Sequence, residues 1–486
     1  MFVGIDLGTS AVKLLLMDEA GRVVGTQSEE YPLCFPKEGW SEQDPDLWLS
    51  QTKTGLIKLL RAHNDPTVDA VAVAGQMHGL VILDEHDEVI RPAILWNDGR
   101  TETETEYLNN VIDKEKLSDY TGNIAFAGFT APKILWVKNN EPENFKKIRK
   151  IMLPKDYLVY KLTGAFTTDY SDASGMLLLD VKNKKWSEEM LDICGVKSEQ
   201  LPTLHESYEA VGKVSDEVKA ELGINGEAIV AAGAGDNAAA AVGTGAIGNA
   251  RCNISIGTSG TIFITSDKFL VDEKNSLHAF AHADGNFHLM GCMLSAASCN
   301  KWFMDEILKE KDYAREQAEI KNLGENKVFF LPYLMGERSP HNDPKVRAMF
   351  YGMNLGTTRS EMYQSVLEGV AYGLRDSLEV ARGMGLKIEK ATLCGGGARS
   401  PLWRTIFANV LKLELMIPES EEGPGLGAAI LAAVACGKYK DLASATKEIV
   451  KIKETVPFEP ELAAKYAAGY AFFKKLYPAV KGLSRP

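Results

Sequence analysis

Two stretches about 250 residues apart share one plan. Near the front, GIDLGTSAVKLLLMDEAG begins as a strand (Phe2, Val3, Ile5) and ends as one (Val12, Leu14, Leu15, Leu16), turning through Asp6-Leu7-Gly8-Thr9-Ser10. Residues 253–267, NISIGTSGTIFITSD, again run strand, Gly-Thr-Ser, strand. One such hairpin is ordinary, because glycine and short hydroxyl residues suit tight turns, and the tripeptide alone does not separate duplication from coincidence. If it is duplication, the chain folds as two halves built alike.

The rest of the chain fits that expectation. Strand-like runs such as VDAVAVAGQMHGLVILDE (68–85) and AIVAAGAG (228–235) alternate with amphipathic patterns such as DPDLWLSQTKTGLIKLLRAH (44–63), which favours α/β layers. Each half supplies a second glycine-rich turn after a strand. In IVAAGAGDNAAAAVG (229–243), Asp236 opens an alanine-rich helix; in KATLCGGGARSPLWRTIFANVL (390–411), Gly395, Gly396 and Gly397 separate strand from helix. GPGLGAAILAAVACG (423–437) reads as a helix whose small residues permit close packing, and residues 438–486 read as mostly helical. A chain of 486 residues outgrows one hydrophobic core. The stretch TGAIGN (244–249) is the expected joint, giving domains at 1–246 and 247–486.

Bulk properties exclude several classes. A net charge of −12 argues against a nucleic-acid or anionic-membrane surface over the whole protein. Seven cysteines, none in C-x-x-C spacing, read as scattered small hydrophobes in a reducing compartment. No apolar run reaches membrane-span length, and the first apolar run contains Asp6 without a basic leader. The expectation is a soluble, cytoplasmic protein with neither nucleic-acid nor membrane partners.

A tight turn between strands aims successive backbone N–H groups into a concave nest that suits phosphate oxygens, and glycine allows close approach. Two such hairpins facing each other suit the phosphate tail of a nucleotide. Asp6, a carboxylate beside those phosphates, calls for a cation, and Mg²⁺ binds through one or two carboxylates plus phosphates. Asp236 admits two readings. It is either the N-cap of its helix or a general base at a strand's carboxyl end, where open α/β sheets bind ligands.

Two further stretches carry a resemblance. GFTAPKILWVKNN (128–140) has a K-x-x-W core at Lys133 and Trp136, and AMFYGMNLGTTRSEMYQSVLE (348–368) has Phe350, Gly352 and Glu368 in place. From Val3 to about Gly437 the chain resembles the FGGY carbohydrate kinase family. That resemblance implies an α/β, two-domain actin-like ATPase (ribonuclease H-like) fold with a catalytic cleft between the domains. It implies ATP as phosphoryl donor and Mg²⁺, held by Asp6 through water. Asp6, Gly8, Thr9 and Ser10 resemble the family's first phosphate loop, and Gly257, Thr258, Ser259 and Gly260 the second. Gly395, Gly396 and Gly397 resemble the adenosine-side loop, and Asp236 the catalytic base, with Asn237 beside it. Lys13, on the strand after the first loop, reads as a solvated lysine.

The family reads its substrate with the first domain. Residues 73–104, VAGQMHGLVILDEHDEVIRPAILWNDGRTETE, resemble the xylulokinase branch, in which the Met-His pair touches the sugar; here it is Met77 and His78. Trp96 is expected as an apolar wall, with Asn97, Asp98 or Arg100 near for hydroxyls, whereas Trp48 reads as packing. The implied acceptor is D-xylulose, phosphorylated at its terminal hydroxyl. Another ketose or a polyol, or a nucleotide-switched protein without catalysis, are the alternatives. The family habit of assembly is a homodimer.

Overall fold

Phe2–Leu7 (β1) is buried almost throughout, the mark of a strand covered on both faces. In the computed structural model, which describes residues 1–483, β1 is the centre of a seven-stranded sheet. Residues 484–486, where the expected second domain ends, lie outside the described residues. β1 pairs antiparallel with Ala11–Met17 (β2), which pairs antiparallel with Val23–Glu30 (β3). On its other side β1 pairs parallel with Ala70–Gly75 (β4). Beyond β4 come Ala210–Lys213 (β5) and Ile229–Ala231 (β6), in the order β5-β6-β4-β1-β2-β3, and the short seventh strand Ala234–Gly235 pairs parallel with the end of β4.

A second seven-stranded sheet is built from Cys252–Ile256 (β7), Gly260–Ser266 (β8), His278–Ala281 (β9), Phe287–Met293 (β10), Lys390–Cys394 (β11), Glu414–Pro418 (β12) and Ile452–Val456 (β13). Its order is β9-β10-β8-β7-β11-β12-β13. β7 pairs antiparallel with β8 and parallel with β11, as β1 does with β2 and β4. Strand directions therefore match from sheet to sheet, and the echo in the sequence is a duplication of topology. β13 lies inside the stretch expected to be mostly helical. Its residues Ile452, Lys453, Glu454 and Thr455 are exposed, so it is a charged edge strand that the apolar pattern does not reveal.

Helix α1 (Pro45–Ala62) starts where Asp44 caps the Asp46 amide, and it packs Trp48, Leu56, Leu59 and Leu60 on one face of the first sheet. The other face is covered by α2 (Asp236–Gly243) and, more extensively, by residues 423–435. On the second sheet, α3 (Ala297–Trp302), α4 (Arg359–Gly383) and α5 (Pro401–Leu411) carry core residues such as Cys299, Leu374 and Trp403. The glycine-rich α6 (Gly423–Ala435) then crosses back to lie against α2 and β1. A Cβ at Gly427 would sit 1.8 Å from the Ala239 carbonyl oxygen, one at Gly243 2.0 Å from that of Gly423, and one at Gly4 2.0 Å from that of Gly425. Small residues are needed because backbone meets backbone where the halves join. Residues 438–451 continue into α7 (Leu442–Ile449), and α8 (Pro460–Phe473) closes the second layer against α5.

Candidate active site

The tip of the first hairpin is drawn backwards by its carbonyls. Tyr31 donates its hydroxyl to Gly8 O (2.5 Å) and its amide to Ser10 O (3.1 Å), and Gln43 Nε2 donates to Thr9 O (2.8 Å). Gln43 is itself held by Trp48 Nε1 (3.0 Å). Among the described residues the Thr9 and Ser10 amides have no partner. With acceptors turned inward and donors outward, the tip is a nest for an anion. A Cβ on Gly8 would come 3.0 Å from Ala11 O, so the turn is tight.

The second tip reaches the same state by other means. The Ala297 amide donates to Gly257 O (2.9 Å), those of Ala296 and Ser298 donate to Thr258 O (2.9 and 3.2 Å), and Gly257 N donates to Ser259 O (3.0 Å). Thr258 and Ser259 are exposed, and among the described residues their amides have no partner. The third turn lies beside it. Gly395 has φ +85°, and a Cβ there would meet Ile256 O at 2.7 Å. A cavity of about 510 Å³ is lined by Thr258, Asn300, Tyr313, Gln317, Gly396 and Ser400. Thr258 of the expected phosphate loop and Gly396 and Gly397 of the expected adenosine-side loop thus line one pocket.

Asp236 is not the N-cap. That position is Gly235, and Asp236 is the first residue of α2 without a capping bond from its side chain. Asn237 Nδ2 donates to Asp236 Oδ1 (2.9 Å) and stands 3.8 Å from Met77 Sδ, so the expected base and sugar residues meet. Burial pushes the Asp236 carboxyl up to about 6. Asp6, at the end of β1, is pushed up to about 7 by burial and then by the charge of Asp236. Two neighbouring carboxylates raise each other's proton affinity, and a cation relieves both.

A buried network not legible in the sequence holds Asp236 from behind. The Gly235 amide donates to Ser171 Oγ (3.2 Å), and Ser171 Oγ donates to Asp169 Oδ2 (2.5 Å). Lys155 Nζ bonds Asp156 (2.7 Å) and lies 3.1 Å from Asp169, all fully buried.

His78 follows β4 with φ +69°, a backbone state that bulky residues rarely adopt. Its Nδ1 lies 2.9 Å from Gly175 O, which can only accept, so Nδ1 carries the proton. Burial and the Lys133 ammonium hold the imidazole well below its usual pKa. The ring is neutral, and Nε2 is left as an acceptor for a hydroxyl. Lys133, fully buried, donates Nζ to His78 O and Gly128 O, each at 2.7 Å. The K-x-x-W lysine thus fixes the backbone that presents His78. Trp136 meets Trp40 edge-on, and Arg100 stacks on Trp40.

Trp96 is 41% exposed, and its Nε1 donates to Thr9 Oγ1 (3.0 Å), tying the expected sugar wall to the first phosphate loop. Arg100 and Asp98 do not serve hydroxyls as expected. They form a buried pair with each other (2.7 Å), and Arg100 also reaches Glu42 (2.7 Å). Lys13 is exposed on β2 as read, and Trp48 is fully buried packing. Among the described residues no cluster of three or more His, Cys, Asp or Glu could cage a metal, and no helix is long and apolar enough to cross a membrane.

Known proteins match this arrangement over its length. Residues 1–243 match the N-terminal domain of the FGGY family of carbohydrate kinases, and residues 252–436 its C-terminal domain. The xylulose kinase of Escherichia coli K12 is 40% identical, the alignment covering 98% of each chain. That of Bacillus subtilis 168 is 36% identical over 99% of this chain and 97% of its own. The crystal structure described as a xyloylose kinase from Brucella ovis superposes with TM-score 0.95 at 39% identity, covering 99% of this chain and 100% of that one.

Proposed function

The chain belongs to the FGGY family of carbohydrate kinases, and from that premise we propose that it transfers the γ-phosphate of ATP to the terminal hydroxyl of D-xylulose, giving D-xylulose 5-phosphate and ADP. The observation that carries the reading is Asp236. It is a half-buried carboxylate with proton affinity tuned to about 6, joined through Asn237 to Met77 at the end of the strand that presents His78. A general base works best when its pKa lies near the operating pH. The sugar lies against Met77, His78 and Trp96, its hydroxyls accepted by His78 Nε2 and its terminal hydroxyl against Asp236. Asp236 takes the proton as that oxygen attacks phosphorus, and Asn237 keeps the carboxylate in line. The amides of Thr9, Ser10, Thr258 and Ser259 hold the phosphates, and Gly395, Gly396 and Gly397 leave room for adenosine.

Asp6 fits Mg²⁺, because one carboxylate at the end of β1 supplies the charge that a phosphate-bound, partly hydrated ion accepts. When bound, that ion offsets charge on the phosphates. The division at residues 246 and 247 belongs to the same proposal. It is supported by Gly245 and Gly248, with φ +78° and +84°, between α2 and β7.

ADP release coupled to a dye readout, run with D-xylulose, D-ribulose, D-fructose, xylitol and glycerol, tests the reading. Turnover should be highest with D-xylulose. A rate that no acceptor raises above that with ATP alone would favour a nucleotide-switched protein instead.

A further inference from the structure

We propose that Arg338, carried by the second half, grips the hydroxyketone end of the acceptor sugar, remote from the hydroxyl that takes the phosphate, and so sets the preference for a ketose over its polyol. The proposal rests on the kinase reading above and adds a residue to its sugar site.

Arg338 is held in place by its neighbours. Its amide donates to Glu337 Oε1 (2.8 Å), which also accepts from Leu294 N (3.0 Å), and Ser339 N donates to Cys292 O (2.9 Å). The segment therefore lies along the end of β10. The side chain extends from there to the first half, its guanidinium carbon 5.4 Å from the centre of the Phe126 ring. Phe126 packs on Phe129, and Phe129 packs on His78. The Arg338 charge is among the influences that keep His78 and His278 neutral. The cation thus stands on the sugar side of the site.

Its guanidinium forms no ion pair. Among the described residues no carboxylate oxygen lies within 4.0 Å of the Arg338 guanidinium nitrogens, although the Glu337 carboxyl, bonded to the Arg338 amide, feels its charge. The buried Arg91 and Arg100 are both paired with Glu42. Arg338 lines a cavity of about 520 Å³ with Trp96 and Phe126 of the first half. Glu337 Oε2 and Asn342 Oδ1, on residues lining the same cavity, are buried polar atoms without a partner. Half-buried guanidinium without an anion is costly unless a ligand supplies the acceptors.

The chemistry of the fork selects the ligand. Guanidinium offers only donors, in a plane suited to two adjacent oxygens. The carbonyl and neighbouring hydroxyl of an open-chain ketose present that pair, and the carbonyl oxygen brings no proton of its own. In a polyol both oxygens carry protons that Arg338 cannot accept.

The test uses the full chain with Arg338→Gln and Arg338→Lys, assayed by ADP release on D-xylulose, xylitol and D-xylonate, with melting temperatures as folding controls. Losing a charged hydrogen-bonding partner should raise the D-xylulose KM of Arg338→Gln by roughly 10–100-fold. The KM for ATP should stay within about twofold, since no phosphate contact is removed. The preference for D-xylulose over xylitol should fall by nearly the same factor as the D-xylulose KM rises. Arg338→Lys, a point charge without the fork, should lie between. An unchanged D-xylulose KM in a parent-like fold, or equal losses on D-xylulose and xylitol, would overturn the proposal. A parent that prefers D-xylonate would overturn the ketose assignment in favour of a carboxylate. Failure of the substrate reading is distinct, because there the parent itself would be inert on D-xylulose.

Discussion

The two halves repeat one sheet but place opposite chemistry at matching points. Two residues before the first Gly-Thr-Ser tip stands Asp6; two before the second stands Ser255. The parallel neighbour of β1 leads to Gln76, Met77 and His78, while the parallel neighbour of β7 leads to Gly395, Gly396 and Gly397. The helix that follows β6 opens on Asp236, and the one that follows β12 opens on Gly423. A duplicated scaffold fixes where backbone amides point, while the side chains at the same strand ends are free to diverge. One half presents carboxylates at these strand ends, which suit a proton and a cation, and the other presents glycines, which suit the close approach of a nucleotide.

The sharpest test of this asymmetry is Asp236→Asn, which should cut turnover by roughly 10²–10⁴ while ATP binding measured by calorimetry holds. In the parent, the rate should climb as pH passes about 6 and the base loses its proton. The stability sign follows from the same shift. A folded-state pKa of about 6, above the ordinary aspartate value of 3.8, means that stability is lost as pH rises between those values. Asp236→Asn should therefore melt at or above the parent at pH 8, and a lower melting point together with a normal rate would return Asp236 to a structural role.

Next in size is the contrast between twin positions. Asp6→Asn should lower kcat/KM for ATP by about 10–100-fold and raise the Mg²⁺ needed for half-maximal rate, since it removes a charged ligand. Ser255→Ala at the twin position should stay within about twofold by the same accounting for an uncharged side chain. Equal effects on both sides would dissolve the distinction between the tips.

The turn proposed for the adenosine side offers a smaller contrast. Gly395→Ala forces a side chain into φ +85° and against Ile256 O, whereas a Cβ on Gly396 meets nothing within 4 Å. Backbone strain of about 1–3 kcal/mol should show as a lower melting temperature and about a tenfold weaker KM for ATP in the first variant only. Calorimetric titration with D-xylulose should be unaffected in both.

The smallest effect is expected from Tyr31→Phe, which frees the Gly8 carbonyl. One neutral hydrogen bond contributes about 1 kcal/mol, so the KM for ATP should rise by about fivefold or less. The second tip is braced by the backbone of Ala296, Ala297 and Ser298, and among the described residues no side chain there holds a carbonyl as Tyr31 does.

Much of the site was legible because its chemistry is local. Asp6 with Gly8 to Ser10, Gly257 to Gly260 and Gly395 to Gly397 sit within single turns, and Met77-His78 and Asp236-Asn237 are adjacent pairs. Residues that act across the fold were not. Tyr31, Gln43 and Ser171 look like ordinary polar residues until the chain brings them to Gly8, Thr9 and Gly235. Asp98 and Arg100 misled for the converse reason: their types suit a sugar, but burial with Glu42 has already used them. Strand β13 escaped because an exposed edge strand carries little hydrophobic pattern.

By itself the sequence determined the duplicated strands, the two Gly-Thr-Ser turns and the residue types at each strand end, because backbone geometry and alternation are properties of neighbouring residues. It also determined that α6 would be a close-packing helix. Only the tertiary structure decided that α6 packs on the opposite half, that burial raises the proton affinity of Asp236 while the Asp236 charge adds to that of Asp6, and that Arg338 reaches Phe126 of the first half without an ion-pair partner for its guanidinium. Those properties depend on which distant surfaces meet and how much water they exclude, and neither burial nor a pKa exists until the chain has folded.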